Sequence, residues 1–132
     1  MPDPTAAAIA RDLANLAGYI ADILADSNIQ LTSNQTTTLN NFSSQLTNYS
    51  DEIANRDALA ALNAAAAQLN NIAQATSAAN AAALSLKTQA ARLNSILAIL
   101  GDAVSLGAAI VTGNLPGAIG AANSLATDAQ HA

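Results

Sequence analysis

IARDLANLAGYIADI, residues 9–23, is the stretch whose spacing decides the fold. Ile9, Leu13, Leu16, Ile20 and Ile23 follow one another at alternating steps of four and three residues. That rhythm winds them onto one stripe of an α-helix and matches the a/d seam of coiled-coil packing. A half-buried strand would instead alternate at every second residue, and no such run occurs in the chain. Pro4 or Thr5 opens this helix, proline being tolerated in a first turn. The polar cluster Asp26-Ser27-Asn28 closes it.

Outward from that segment the same rhythm returns. Thr32 and Gln35 have the spacing of a capping box, with Leu31 before them as a staple residue. Leu39, Phe42, Leu46, Tyr49 and Ile53 then repeat the three-four seam. Asn34, Asn41, Asn48 and Asn55 recur every seven residues beside it, in the units NQTTTLN, NFSSQLT and NYSDEIA. Thr36-Thr37-Thr38 are poor helix formers, so tertiary packing must hold this stretch.

From Ile53 to Leu59 the seam jumps by six residues, which rotates the apolar face by roughly a third of a turn. A boundary at Asn55 to Asp57 accounts for the jump, with Asp57 as the cap. Leu59, Leu62, Ala66, Leu69, Ala73 and Thr76 form the next seam. Its phase nearly continues through Ala79, Ala83, Leu86, Ala90, Leu93, Leu97, Leu100, Val104 and Val111. One helix from Ala58 to Thr112 would be about 80 Å long, too long for a domain of this size, so a break is expected near Thr76 to Asn80. Thr112-Gly113-Asn114-Leu115-Pro116 reads as a stop and restart, with Gly at C′, Asn as cap and Pro in the first turn. Leu115, Ile119, Ala122 and Leu125 form the last stripe. The expectation is an all-α, antiparallel four- to five-helix bundle with coiled-coil-like seams. It forms a single domain over 1–132, with helices at about 5–26, 33–54, 57–77, 80–112 and 115–129.

Composition bounds what such a bundle does. Hydrophobic residues make up 52% of the chain, charged residues 10% and aromatics 2%, against about 25% charged in an ordinary soluble domain. Asn, Gln, Ser and Thr therefore supply most of the surface polarity, a substitution that leans toward a secreted or surface setting. The net charge is −5, with four Lys and Arg against nine Asp and Glu. Neutralising nucleic-acid phosphates takes several clustered cations, so nucleic acid is excluded as a partner, and so is electrostatic docking to anionic lipid. No cysteine is present, which removes disulfides and thiolate metal sites. Met1-Pro2-Asp3-Pro4 has neither the basic nor the apolar region of a signal peptide. The expectation is a protein that stays inside, leaves by a signal-independent route, or is seen in mature form.

Chemistry-bearing residues are sparse. His131 is the one histidine and lies beside the end, where fraying is expected. No catalytic residue, cofactor or metal site is predicted. Asp51-Glu52 with Asp57 lacks the glycine and alternating oxygens of a calcium loop and reads as helix-start carboxylates favouring the macrodipole. Gly113-x-x-x-Gly117 reads as turn chemistry around Pro116 rather than a membrane-helix contact. Three sequons, at Asn34, Asn41 and Asn48, are expected by chance in a chain so rich in these residues.

The strongest functional signal is the apolar C-terminal hairpin. From Leu93 to Thr127 the only charge is Asp102. Leu93, Leu97, Leu100, Val104 and Val111 form one stripe, and Ile96, Ile99, Ala103, Leu106 and Ile110 a second beside it. A helix apolar on nearly all sides is central in a bundle or meets lipid, ligand or another subunit. Leu93, Ile96, Leu97, Leu100, Val104, Ile110, Val111 and Ile119 are the candidate interface residues. The expected role is non-enzymatic: packing on an apolar ligand or a partner helix. A membrane-inserting, toxin-like hairpin is the alternative, with protonation of Asp102 promoting insertion at low pH. A constitutive transmembrane helix is not expected, since the run falls short of about 20 residues and Asp102 would be costly at its centre. A second alternative is self-assembly into a homo-oligomer through the Leu39 and Leu46 seam.

Overall fold

A computed structural model describes residues 4–27, 29–56, 65–87 and 89–131. Five α-helices occupy them: α1 Pro4–Ala25, α2 Ser33–Arg56, α3 Ala66–Leu86, α4 Leu93–Val111 and α5 Leu115–His131. A short 3-10 turn, Ala90–Arg92, leads into α4. The architecture is all-α, and no strand occurs among the described residues.

The seam of α1 is the floor of the core. Ile9, Leu13, Leu16, Ile20 and Ile23 are all fully buried, with Leu39, Leu46 and Ile53 of α2 packed in the same cluster. Ser50 of α2 donates to the carbonyl of Ala10 at 2.7 Å inside this contact, so the two helices approach closely and run antiparallel. Thr32 caps α2 as the spacing predicts: its Oγ1 accepts from the Gln35 amide at 3.1 Å, and Gln35 Oε1 accepts from the Thr32 amide at 2.9 Å. Helix α3 is built from alanine on its inner face, where Ala75, Ala79 and Ala83 are buried. Small side chains there let neighbouring backbones come near, which is how a core with one Phe and no Trp gains contact.

Helix α1 packs on α2 and α3, α2 on α4, and α5 on both α4 and α3. Consecutive helices alternate in direction. Helices α1 and α3 run parallel, because Asp12 meets Thr76 and Asn80 while Asp22 meets Lys87.

The break expected near Thr76 to Asn80 is absent, and α3 continues without interruption to Leu86. Thr76 is fully buried, and its hydroxyl lies 3.1 Å from Asp12 Oδ2 and 2.9 Å from the Ala73 carbonyl. Asn80 donates to Asp12 Oδ1 at 3.0 Å. Residues that look like a turn are instead an interhelix contact, and burial with hydrogen bonds satisfies them in place. Helix α3 ends at Leu86, whose carbonyl accepts from the Gln89 amide, and Lys87 just beyond reaches Asp22 at 2.6 Å and lies 5.1 Å from the Tyr19 ring centre. The Asp57 cap, the seam jump after Ile53, and Leu59 and Leu62 lie outside the described residues.

The second turn is built as expected. Gly113 has φ 72, a conformation that glycine adopts without strain. The Gly113 amide donates to Ile110 and the Asn114 amide to Ala109, the bonding of a Schellman motif. Asn114 Oδ1 then accepts from the Gly117 amide at 3.1 Å and starts α5. One sequence reading is corrected: Asp51 and Glu52 lie in the C-terminal part of α2, not at a helix start, so the macrodipole does not explain them.

Candidate functional site: the apolar α4–α5 hairpin

Helix α4 is covered unevenly. Of its two apolar stripes, Ile96, Ile99, Ala103, Leu106 and Ile110 are buried, joined by Leu93 and Leu100 from the other stripe. Leu97, Val104 and Val111 stay half-buried on the flank, as does Ile119 on α5. The eight predicted residues therefore divide: Leu93, Ile96, Leu100 and Ile110 belong to the core, whereas Leu97, Val104, Val111 and Ile119 reach the surface. Successive members of the Leu97, Val104 and Val111 set lie seven residues apart, so they form one line along the helix.

Two glycines set how α4 lies against α2, and their role was not visible in the sequence. A β-carbon on Gly107 would meet Tyr49 Cδ2 at 2.6 Å and Tyr49 Cβ at 3.0 Å. One on Gly101 would sit 3.7 Å from the Phe42 ring. The two aromatics that shared the α2 seam with Leu39 and Leu46 therefore leave the core proper and lie over glycines. Gly101 shares its side of α4 with Leu97 and Val104, four and three residues away. The half-buried line thus runs along the edge next to Phe42.

On the other side of α4 is Asp102, the one charged residue of the hairpin's apolar run. It is half-buried, its Oδ2 is enclosed without a hydrogen-bond partner, and it faces Asp128 of α5 across an open cleft also lined by Asn123, Ser124 and Thr127. Burial first, then the hydrogen bond that protonated Asp102 donates to Asp128, and the Asp128 charge, raise the Asp102 carboxyl to about 7. Partly open to water through this cleft, Asp102 is paired with no cation among the described residues; it stands against a second acid.

A small cleft between α3 and α5 brings Ile72, Ile119 and Ala122 together with Gln68, Asn71 and Asn123, and two larger ones are more polar. A groove between α3 and α5 is lined by Asn71, Gln74, Asn123 and Gln130 among alanines, and another on α2 by Thr38, Asn41, Phe42, Ser44 and Gln45. Among the described residues Leu84 is the one large hydrophobic residue that is plainly exposed, at 52%. Asn34, Asn41 and Asn48 all face solvent, while the side chains of Asn55 and His131 lie outside the described residues. Leu39 and Leu46 are enclosed in the chain's own core, so an interface on that seam would require the bundle to open. Among the described residues no three His, Cys, Asp or Glu gather into a metal-binding group. No family model, curated protein or solved structure matches the chain.

Proposed function

We propose that this chain is a non-enzymatic helical interaction protein and that α4 receives a partner helix along Leu97, Val104 and Val111. One observation carries the reading: this line of branched apolar residues, at coiled-coil spacing, is only half-buried on a helix whose other branched apolar side chains all lie in the core. A helix laid beside it would complete burial of those side chains, at about 25 cal/mol for each Å² of apolar surface covered. The neighbouring face of α4, with Asn94, Ala98 and Ser105 exposed, holds only small side chains and permits close approach. The low charge of the surface fits an apolar partner and offers nothing to nucleic acid. The larger clefts are polar and the one with Ile72 and Ile119 is small, which makes an enclosed lipid-like ligand the weaker form of the reading.

A second reading has its own observation. Leu93–Val111 is the one described helix long and apolar enough to cross a membrane. Its 19 residues span about 28 Å, close to the hydrocarbon thickness of a bilayer. In that reading the α4–α5 hairpin leaves the bundle and inserts.

Nitroxide labels on Leu97→Cys, Val104→Cys and, as a control on the polar face of α2, Ser44→Cys separate the two. Water accessibility is recorded with a panel of synthetic amphipathic Leu/Ala helices, with phosphatidylcholine vesicles, and at rising protein concentration. The proposal expects the two α4 labels, and not the control, to lose accessibility with a helix or a second copy. Loss with vesicles alone transfers the function to insertion. No change under any of the three conditions overturns both.

A further inference from the structure

The hairpin carries a device that neither reading uses. Asp102 on α4 and Asp128 on α5 face each other in one cleft between these two helices, and one oxygen of Asp102 is enclosed with no partner. Two carboxylates cannot both be charged there without repulsion in a partly desolvated place. With one proton between them, the protonated acid donates to the other and the pair becomes a bond. We propose that Asp102 and Asp128 form an acid clasp, which fastens α5 to α4 when one proton is bound and loosens it when that proton leaves.

Among the described residues no cation stands against Asp102. From α5 the residues lining the cleft beside Asp128 are the neutral Asn123, Ser124 and Thr127. Helix α3 has no ionisable side chain between Ala66 and Leu86. On α2, Tyr49 lies against Gly107, on the opposite side of α4 from Asp102, and Asp51 and Glu52 belong to the helix's last turns. Asp12 of α1 is held by Thr76 and Asn80, and Asp22 by Lys87. Arg92 in the 3-10 turn is exposed and ten residues before Asp102, about 15 Å along the axis. Consistent with this, the Asp102 carboxyl stands at about 7 against an ordinary 3.8, with burial as the largest cause.

The direction of the effect follows from proton counting. Between those two values the closed hairpin holds a proton that the opened chain does not. Closure is therefore favoured as pH falls through about 7 and weakened as it rises. This is opposite in sign to an acid-triggered release of the hairpin from the bundle. The clasp concerns the same hairpin as the proposed function but does not depend on what that hairpin meets.

Hydrogen exchange of α5 amides, corrected for the pH dependence of the intrinsic rate, tests it on the full chain. The opening constant of α5 is expected to rise about tenfold from about pH 5.5 to about pH 8, the partial exposure of the site holding it well below the full shift. Asp102→Asn and Asp128→Asn are each expected to flatten that dependence while circular dichroism stays helical. Carboxyl-carbon titration of the unmodified protein by NMR needs no variant, and is expected to place the Asp102 transition near neutrality. A pH-independent opening constant, the same slope in Asp128→Asn as in the unmodified chain, or an ordinary Asp102 titration would each overturn the clasp.

Discussion

Asp12 and Asp102 sit in comparable places, each facing another helix of the bundle, and the fold treats them in opposite ways. Asp12 is 5% exposed, and both its oxygens have a partner, Thr76 and Asn80, more than sixty residues away in the chain. Asp102 is less deeply buried, yet one oxygen is orphaned and its neighbour is another acid. Depth alone does not make a carboxyl costly; burial without a donor to meet it does. The α1–α3 contact is pinned by satisfied hydrogen bonds that specify its register. The α4–α5 contact rests on shape and on a pair of acids whose attraction depends on pH. Stability is therefore expected to be invested in the first, and adjustability in the second.

Asp12→Ala strikes the pinned contact and carries the largest expected effect. It removes the acceptor for Asn80 and for the fully buried Thr76, and a loss of about 2–3 kcal/mol is expected in urea unfolding. The matching change on the other side, Asp102→Asn at about pH 8, is expected to leave stability level or raise it, because a charge that burial disfavours is gone. Equal losses at the two sites would erase the distinction drawn between them.

The α2–α4 packing offers a sharper pair. Gly107→Ala drives a methyl into the near part of the Tyr49 side chain, 3.0 Å from its Cβ, where rotation of the ring gives no relief. About 1–2 kcal/mol of destabilisation is expected. Gly101→Ala meets Phe42 at an ordinary 3.7 Å and is expected to gain about 0.5–1 kcal/mol from helix propensity. Melting curves of the two variants, moving in opposite directions from the unmodified protein, check both. The smallest effect belongs to Lys87→Ala at the α3–α4 turn, where the bond to Asp22 and the Tyr19 contact are partly solvated. About 0.5 kcal/mol is expected, and it should fade as salt is added.

Much of this architecture was legible in the residues. The α1 seam is the α1 core, the Thr32–Gln35 box closes as spaced, and the turn at Gly113-Asn114 forms with the bonding its residue types imply. The reading failed where a polar residue needed a distant partner. Thr76 and Asn80 resembled a helix break because nothing nearby explained them, and their explanation is Asp12 on another helix. Phe42 and Tyr49 resembled core residues equal to Leu39 and Leu46, because the glycines beneath them belong to α4. For the candidate site, the hairpin as a whole was visible from its lack of charge, but the half-buried line within it was not. Both stripes of α4 are equally apolar.

Helix type, caps and the apolar faces were settled along the chain, because they arise from interactions within one or two turns and leave a periodic trace in the residue order. Which stripe of α4 is enclosed, where α3 ends, and whether a given aspartate is satisfied or opposed were settled only by tertiary packing. Those outcomes depend on groups brought together from distant parts of the chain. A side chain's cost or benefit on burial is set by the neighbour it is given, which its own sequence context does not name.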